Sequence, residues 1–146
     1  MATASLSPDA RSFLERARRA HLATASATGV PHVVPVCFAV LDDATIVFAI
    51  DDKPKAAGRT LQRLRNLEEN PRFALVVDAW DEDWSRLGYV LVSGRGCVLA
   101  DPRRRAEALQ ALRDRYPQYV VMGLGPRHPV VALTIDRVHP WGRVAD

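Results

Sequence analysis

The sequence predicts a mainly β protein, a six-stranded antiparallel β-barrel with flanking helices. Six segments are continuously apolar or alternate apolar and polar residues, as β-strands do. Most are joined by short turns, which favours antiparallel pairing over parallel crossovers. The chain has 146 residues, enough for a single domain covering residues 1–146 with a substantial core. The predicted strands cover residues 21–25, 31–40, 44–50, 72–78, 89–99 and 130–138.

The sequence predicts three helices. Ser7 followed by Pro8 is a capping residue followed by a proline suited to the first helical position, and Asp101 followed by Pro102 repeats the pattern. In the second helix, leucines recur every three residues and form an apolar stripe. The segment 116–129 is mixed, with Gly123, Gly125 and Pro126 as loop markers. The predicted helices cover residues 8–19, 57–69 and 102–115.

The composition excludes several classes of protein. No run of 18 apolar residues exists, and no basic segment followed by an apolar run opens the chain, so we expect a cytoplasmic protein. The net charge of +3 comes from dispersed residues without aromatic interleaving, which does not favour nucleic-acid binding. Cys37 and Cys97 lie in apolar runs and are expected to be buried free thiols. No metal-ligand spacing occurs, so we expect no metal.

Pro35 is unusual because it lies inside a predicted strand. Proline donates no backbone hydrogen bond, so the strand must be irregular or at a sheet edge there. Free backbone groups around Val34 and Val36 could then meet the polar edge of a flavin ring. A plain bulge, or protection of a sheet edge, would explain the same residue.

A basic loop follows the third predicted strand. The sequence has 20 basic residues, of which only Lys53 and Lys55 are lysines, and they stand one residue apart. They precede a helix whose first amides favour anions, so they could hold a phosphate, and Arg59 and Arg63 could extend the positive patch. A solvated turn is the alternative, since the aspartates just before the lysines weaken the local positive field.

Two tryptophans occupy an acidic loop over residues 79–86. An exposed loop rarely keeps Trp80 and Trp84 without a contact, so they could flank a planar ring, pack on a partner subunit or pack in the core. No nucleophile elbow or dinucleotide fingerprint occurs, and no side chain stands out as an acid, base or nucleophile. In an enzyme of this kind a cofactor would carry the chemistry.

The combined motifs resemble the pyridoxamine 5′-phosphate oxidase-like split-barrel superfamily, and in particular its F420-dependent oxidoreductase branch. The resemblance implies a six-stranded split barrel of the FMN-binding type. It also implies a homodimer with two cofactor sites at the subunit interface. The motifs are Leu22-Ala23-Thr24, Gly29-x-Pro31-His32-Val33-Val34-Pro35-Val36, Asp52-Lys53-Pro54-Lys55, the segment from Arg65 to Leu75 and the segment from Asp81 to Arg86.

The resemblance also assigns roles to residues. The lysines match positions that hold the phosphate of the cofactor in similar proteins, and the strand around Pro35 would line the ring through its backbone. Trp84 matches a tryptophan near the cofactor, and Trp141 would approach from the other subunit. The spacer after Lys55 is longer than in similar shorter chains, which leaves the roles of Arg59 and Arg63 open. The expected cofactor-binding residues are Val34, Pro35, Val36, Asp52, Lys53, Lys55, Arg63, Trp84 and Trp141.

The resemblance implies an oxidoreductase that transfers hydride between coenzyme F420 and a small unsaturated or conjugated substrate. The alternatives are an FMN-dependent oxidoreductase of the same fold and a protein that binds the cofactor without catalysis. The chain lacks the arginine-containing C-terminal tail of true pyridoxamine phosphate oxidases, so we do not expect the vitamin B6 reaction.

Overall fold

The computed structural model describes residues 4–51 and 61–145. Within these residues, strands dominate and four α-helices flank them, in agreement with the mainly β prediction. A single 3₁₀ turn, Trp84–Arg86, precedes the longest pair of strands. The elements are α1 (Pro8–Arg16), β1 (Ala20–Ala25), β2 (Pro31–Val36), β3 (Ala39–Asp42), β4 (Thr45–Ala49), α2 (Gln62–Glu69), β5 (Arg72–Ala79), β6 (Gly88–Val98), α3 (Pro102–Arg115), α4 (Pro117–Met122) and β7 (Val130–Gly142).

The described strands form one sheet in the order β2-β1-β5-β6-β7-β4-β3, and every pairing is antiparallel. It has seven strands rather than the expected six, because the predicted strand over residues 31–40 divides into β2 and β3. The Phe38 amide donates to the phenol oxygen of Tyr116 at 3.0 Å instead of joining a ladder. β2 and β3 lie at opposite edges of this sheet. Closure of the sheet into a barrel therefore stays a prediction.

The core lies on both faces of β4, as its continuous apolar sequence predicts. Every residue of β4 is buried. One face joins the main core with alternate residues of other strands of the sheet, such as the cross-strand set Leu22, Leu75 and Val92 on β1, β5 and β6. The other face is covered by α3 and α4, with Leu112 against Val47 in the same buried cluster. The helices α3 and α4 therefore pack on the sheet beside β4, which is the third predicted strand.

The helix ends follow their capping residues. The Ser7 side chain accepts a hydrogen bond from the Ala10 amide, and the Asp101 side chain does the same for α3. α1 ends at Arg16, three residues earlier than expected, because Ala17 is extended and the Arg115 guanidinium donates to backbone oxygens at this helix end. The additional helix α4, in the mixed segment 116–129, begins at a proline and ends at a left-handed glycine.

The pairing of β6 with β7 is irregular at Gly94. The register between β6 and β7 shifts between Ser93 and Gly94, which leaves Asp136 as the extra residue of a β-bulge. A Cβ atom at Gly94 would overlap the backbone oxygen of Thr134. The glycine is required here because two backbones approach too closely for any side chain.

Candidate functional site

Three residues, from the loop after β4, from α2 and from α4, lie near one another where β4 ends, and we call them the β4-end cluster: Asp51, Arg63 and Tyr119. The Tyr119 hydroxyl donates to Asp51 Oδ2 at 2.6 Å. Tyr119 comes from α4 and is only 2% exposed, whereas Arg63 comes from the first turn of α2 and is half-buried. The cluster therefore borders the end of the predicted basic loop on both its β4 side and its α2 side.

The electrostatics of the cluster keep Tyr119 neutral and Arg63 charged. Burial, and then the hydrogen bond to Asp51, raise the pKa of Tyr119 far above its usual range, so the phenol remains a hydrogen-bond donor. Burial lowers the pKa of Arg63, while Asp51 and Tyr119 raise it in part. Arginine nevertheless stays protonated in proteins. Its Nε is buried and has no hydrogen-bond partner among the residues described, so the guanidinium has unused donor capacity.

A buried hydrogen-bond network fixes α2 against β1, and it therefore fixes the backbone position from which the Arg63 side chain extends. Gln62 Nε2 donates to Asn66 Oδ1 at 2.7 Å, and Asn66 Nδ2 donates to Thr24 Oγ1 at 3.0 Å. Asn66 and Thr24 are both buried, which makes an unmade hydrogen bond costly there. Leu67, from the predicted leucine stripe, packs into the main core.

The tryptophans form a second group, the aromatic end, at the start of β6 and the end of β7. Trp141 is 50% exposed and stacks on Tyr89 with ring centroids 5.5 Å apart and an angle of 18° between planes. Trp84 is 72% exposed on the 3₁₀ turn just before β6. Near Trp84, a cavity of about 450 Å³ is lined by Trp80, by three arginines and by apolar side chains from α1 and β5.

The two groups lie at opposite ends of β7. Ala49, at the end of β4, pairs with Val130 at the first position of β7, while Trp141 pairs with Tyr89 near its last position. β7 has 13 residues, so it extends over about 40 Å at roughly 3.3 Å per residue. The β4-end cluster, which contains Arg63, and the aromatic end, which contains Trp84 and Trp141, are therefore separated along the strand within one chain.

β2 is an edge strand of the described sheet, which accounts for Pro35. Val36 is buried in the core and Val34 packs against it, so their side chains point inward. Pro35 is exposed and lies on the opposite face, paired with His21. This outer surface, the open sheet face, contains Val33 (65% exposed) and Leu91 (37% exposed), and it continues through His139 to Trp141.

Some residues named from the sequence lie outside the described part of the chain, and the expected burial of the cysteines needs correction. Asp52, Lys53, Lys55 and Arg59 lie outside the described residues. Cys37 and Cys97 are free, as expected, but Cys37 is only partly buried. The expected burial of Cys97 is wrong, since β6 runs past the start of β5 and leaves this side chain exposed. Within residues 4–51 and 61–145 no group of three or more His, Cys, Asp or Glu side chains could hold a metal ion. None of the helices in those ranges is long and apolar enough to cross a membrane.

Two residues of the β4-end cluster were missed from the sequence. From the sequence alone, Asp51 is only a charge that weakens the positive field of the basic loop, and Tyr119 lies in the mixed segment 116–129. The available signal was Pro117, which suits the first position of a short helix before Gly123. Nothing in the sequence indicated that this helix packs beside the end of β4.

Residues 6–142 match the family described as Pyridoxamine 5'-phosphate oxidase. The chain therefore belongs to the pyridoxamine 5'-phosphate oxidase family. This membership agrees with the resemblance of the motifs to the split-barrel superfamily and covers nearly the whole chain. No curated protein sequence gives a significant match.

Solved structures share the fold of this family member at low sequence identity. A conserved hypothetical protein of Mycobacterium tuberculosis has a TM-score of 0.74 and 20% identity, with 96% of this chain and 86% of that chain covered. A haem-binding protein of Mycobacterium smegmatis has a TM-score of 0.73 and 22% identity; 97% of this chain is covered, but only 56% of that longer chain. An FAD-binding protein of Mesorhizobium loti has a TM-score of 0.67 and 23% identity, with coverage of 96% and 97%. At these identities the likeness shows the fold alone.

Proposed function

We propose that this protein is a homodimeric oxidoreductase that uses coenzyme F420 and transfers hydride between it and a small unsaturated or conjugated substrate. The proposal depends mainly on the environment of Arg63. Its side chain is half-buried, and its Nε is buried without a hydrogen-bond partner among the described residues. It stands at the α2 side of the segment that contains both lysines of the chain. A multiply donating cation that follows two lysines closely in the sequence suits a phosphate-binding role, and the family membership supports a flavin-type ligand.

A second copy of the chain accounts for the separation of the two groups of predicted residues. A planar cofactor whose phosphate lies near Arg63 would meet Trp84 or Trp141 only from a partner subunit. Trp141 lies near the far end of β7, and Trp84 lies on the 3₁₀ turn just before β6, whose start pairs with that end. The open sheet face supports this arrangement because Val33, Leu91 and Trp141 expose apolar surface in one chain. Such a face is typical of a surface that is covered in an assembly.

In this proposal the residues of the chain bind and orient, and the cofactor supplies the hydride chemistry when bound. Arg63, Lys53 and Lys55 hold the anionic group. The backbone of the edge strand around Pro35 meets the polar edge of the ring. The exposed indoles of the partner cover the ring and exclude water from the reacting face, where a substrate would stack.

Titration of the purified protein with coenzyme F420 and, separately, with FMN tests the proposal. We expect saturable quenching of cofactor fluorescence by the parent protein. The charge reversal Lys53→Glu/Lys55→Glu should weaken binding at least about tenfold, because each lysine is assigned a charge-assisted contact to the phosphate. The matched control Arg19→Glu/Arg103→Glu changes the net charge equally at exposed positions and should retain most of the affinity. Binding of neither cofactor by the parent would refute the proposal.

The same titration separates the alternatives. A yellow protein that releases FMN on denaturation would favour the FMN-dependent enzyme. Tight F420 binding without turnover of any hydride acceptor would favour a cofactor-binding protein without catalysis. Haem deserves a parallel titration because proteins named for haem binding and haem storage share this fold. A Soret band that shifts and saturates at one haem per chain, with no flavin binding, would replace the oxidoreductase assignment.

A further inference from the structure

The cavity of about 450 Å³ between the end of α1 and the end of β5, which we call the α1–β5 cavity, is not used by the proposed cofactor site. Its volume is within the range of small-molecule sites. Arg63, Trp84 and Trp141 are not among the described residues that line it. Phe13 and Val77 do line it, and both are buried in the main core. The α1–β5 cavity therefore reaches the core side of the sheet, opposite to the open sheet face.

Arg143 brings an uncommitted guanidinium to this cavity. Its backbone is fixed, because the Arg143 amide donates to the Leu87 carbonyl oxygen at 2.8 Å, where the end of β7 meets the start of β6. Its side chain is exposed and makes no hydrogen bond or salt bridge with the described residues. A guanidinium carries five N–H donors in a planar fork that matches a carboxylate. Arg143 can therefore bind a carboxylate without giving up an existing hydrogen bond.

The charged residues that line the cavity leave one positive charge in excess, since three are arginines and two are aspartates. The Arg16 guanidinium lies 5.6 Å from the centroid of the Phe13 ring and donates to the Val144 carbonyl oxygen at 3.1 Å. Arg86 pairs with Asp81, with 3.4 Å between Nε and Oδ2. A single carboxylate would balance this lining, whereas a doubly charged phosphate would leave an excess of negative charge.

Trp80 supplies an aromatic wall of the cavity. Its side chain is 66% exposed, and its indole Nε1 donates to Glu82 Oε1 at 3.2 Å, which restrains the ring. Ala17 and Ala79 contribute only small side chains to the lining, which leaves space for a flat group. An exposed indole face is a favourable stacking surface for an aromatic or conjugated group. The cavity is therefore suited to a flat apolar body that carries one negative charge.

We propose that the α1–β5 cavity binds small aromatic or conjugated carboxylates, with Arg143 holding the carboxylate and Trp80 contacting the apolar body. This site is distinct from the proposed cofactor site. The inference does not depend on whether the protein binds F420 or FMN.

A titration of the ¹⁵N-labelled protein with trans-cinnamate, followed by ¹H–¹⁵N correlation NMR, tests the proposal. The spectra report both the Kd and the place of binding, and the indole N–H signal of Trp80 is a direct reporter of the cavity wall. trans-Cinnamamide is the matched ligand, because it keeps the conjugated body and the shape of the head group but has no charge. Arg143→Gln removes the proposed carboxylate contact. Arg137→Gln is the matched control, since Arg137 is also exposed, lies on β7 and does not line the cavity.

We expect the parent to bind cinnamate saturably, with shifts at Trp80 and around Arg143, and to bind cinnamamide about tenfold more weakly. Arg143→Gln should raise the Kd of cinnamate about tenfold and leave the Kd of cinnamamide within about twofold, because the lost contact is to the charge. Arg137→Gln should change neither Kd by more than about twofold. Trp80→Leu should weaken both ligands, since both use the aromatic wall.

Three results would overturn the inference: no saturable shifts with cinnamate, equal affinity for cinnamate and cinnamamide, or a cinnamate Kd that Arg143→Gln leaves unchanged. Displacement of cinnamate by F420 or FMN would do so as well, because the carboxylate would then occupy the cofactor site. A parent protein that binds cinnamate as expected but neither cofactor refutes the proposed function and supports this inference, so the two proposals fail separately.

Discussion

Replacing Thr24 by valine tests how α2 is fixed against the sheet. Valine keeps the shape of threonine and suits a strand, but it removes the oxygen that accepts from Asn66 Nδ2 at 3.0 Å. Asn66 is 1% exposed, so its amide cannot turn to water. A buried donor left without its partner costs about 1–3 kcal/mol. For a domain of this size, that corresponds to an unfolding temperature lower by roughly 3–10 °C.

Urea unfolding followed by circular dichroism measures the change, with Thr134→Val as the matched control. Thr134 is an exposed strand threonine, so the control should stay within about 0.5 kcal/mol of the parent. A loss for Thr24→Val no larger than for Thr134→Val would refute the reasoning. Because the network also orients α2, Thr24→Val should weaken cofactor binding through Arg63, whereas Thr134→Val should not.

Three further predictions concern the fold. Gly94→Ala should destabilise the protein by about 1–3 kcal/mol or more in urea unfolding, because its Cβ overlaps a strand backbone, while Gly125→Ala has room and should be nearly neutral. Burial tends to raise the pKa of Asp42, but hydrogen bonds, chiefly from Arg104, lower it overall. Stability should therefore fall as pH drops below about 4, and Asp42→Asn should reduce that acid dependence in melts across pH. Arg115→Met should cost about 1–3 kcal/mol of unfolding free energy, since the guanidinium satisfies carbonyl oxygens at the end of α1.

Local signals in the sequence predicted most of the described elements. Ser7 and Asp101 cap the helices as expected, and β4, which is continuously apolar, is buried on both faces. These features depend on residues close together in the chain: a side chain that reaches a nearby amide, or an unbroken apolar run. Pro35 likewise predicted an edge or an irregularity, and β2 is an edge.

Features that depend on distant partners could not be predicted. The predicted strand over residues 31–40 divides because the Phe38 amide donates to Tyr116, 78 residues later. The β4-end cluster depends on α4, whose tyrosine reaches Asp51 across 68 residues. No periodicity or spacing in a single sequence encodes such a meeting, since it arises only when the sheet order and the packing of α3 and α4 are fixed.

The separation between Arg63 and Trp141 shows what a motif can and cannot specify. Similarity to a family groups both residues into one cofactor site, but β7 places the aromatic end at the far end of a 13-residue strand from the end of β4. If the grouping is correct, each site must draw its two halves from different subunits. A protein that is monomeric at all concentrations, yet binds one cofactor per chain with affinity that depends on both Arg63 and Trp141, would contradict that conclusion.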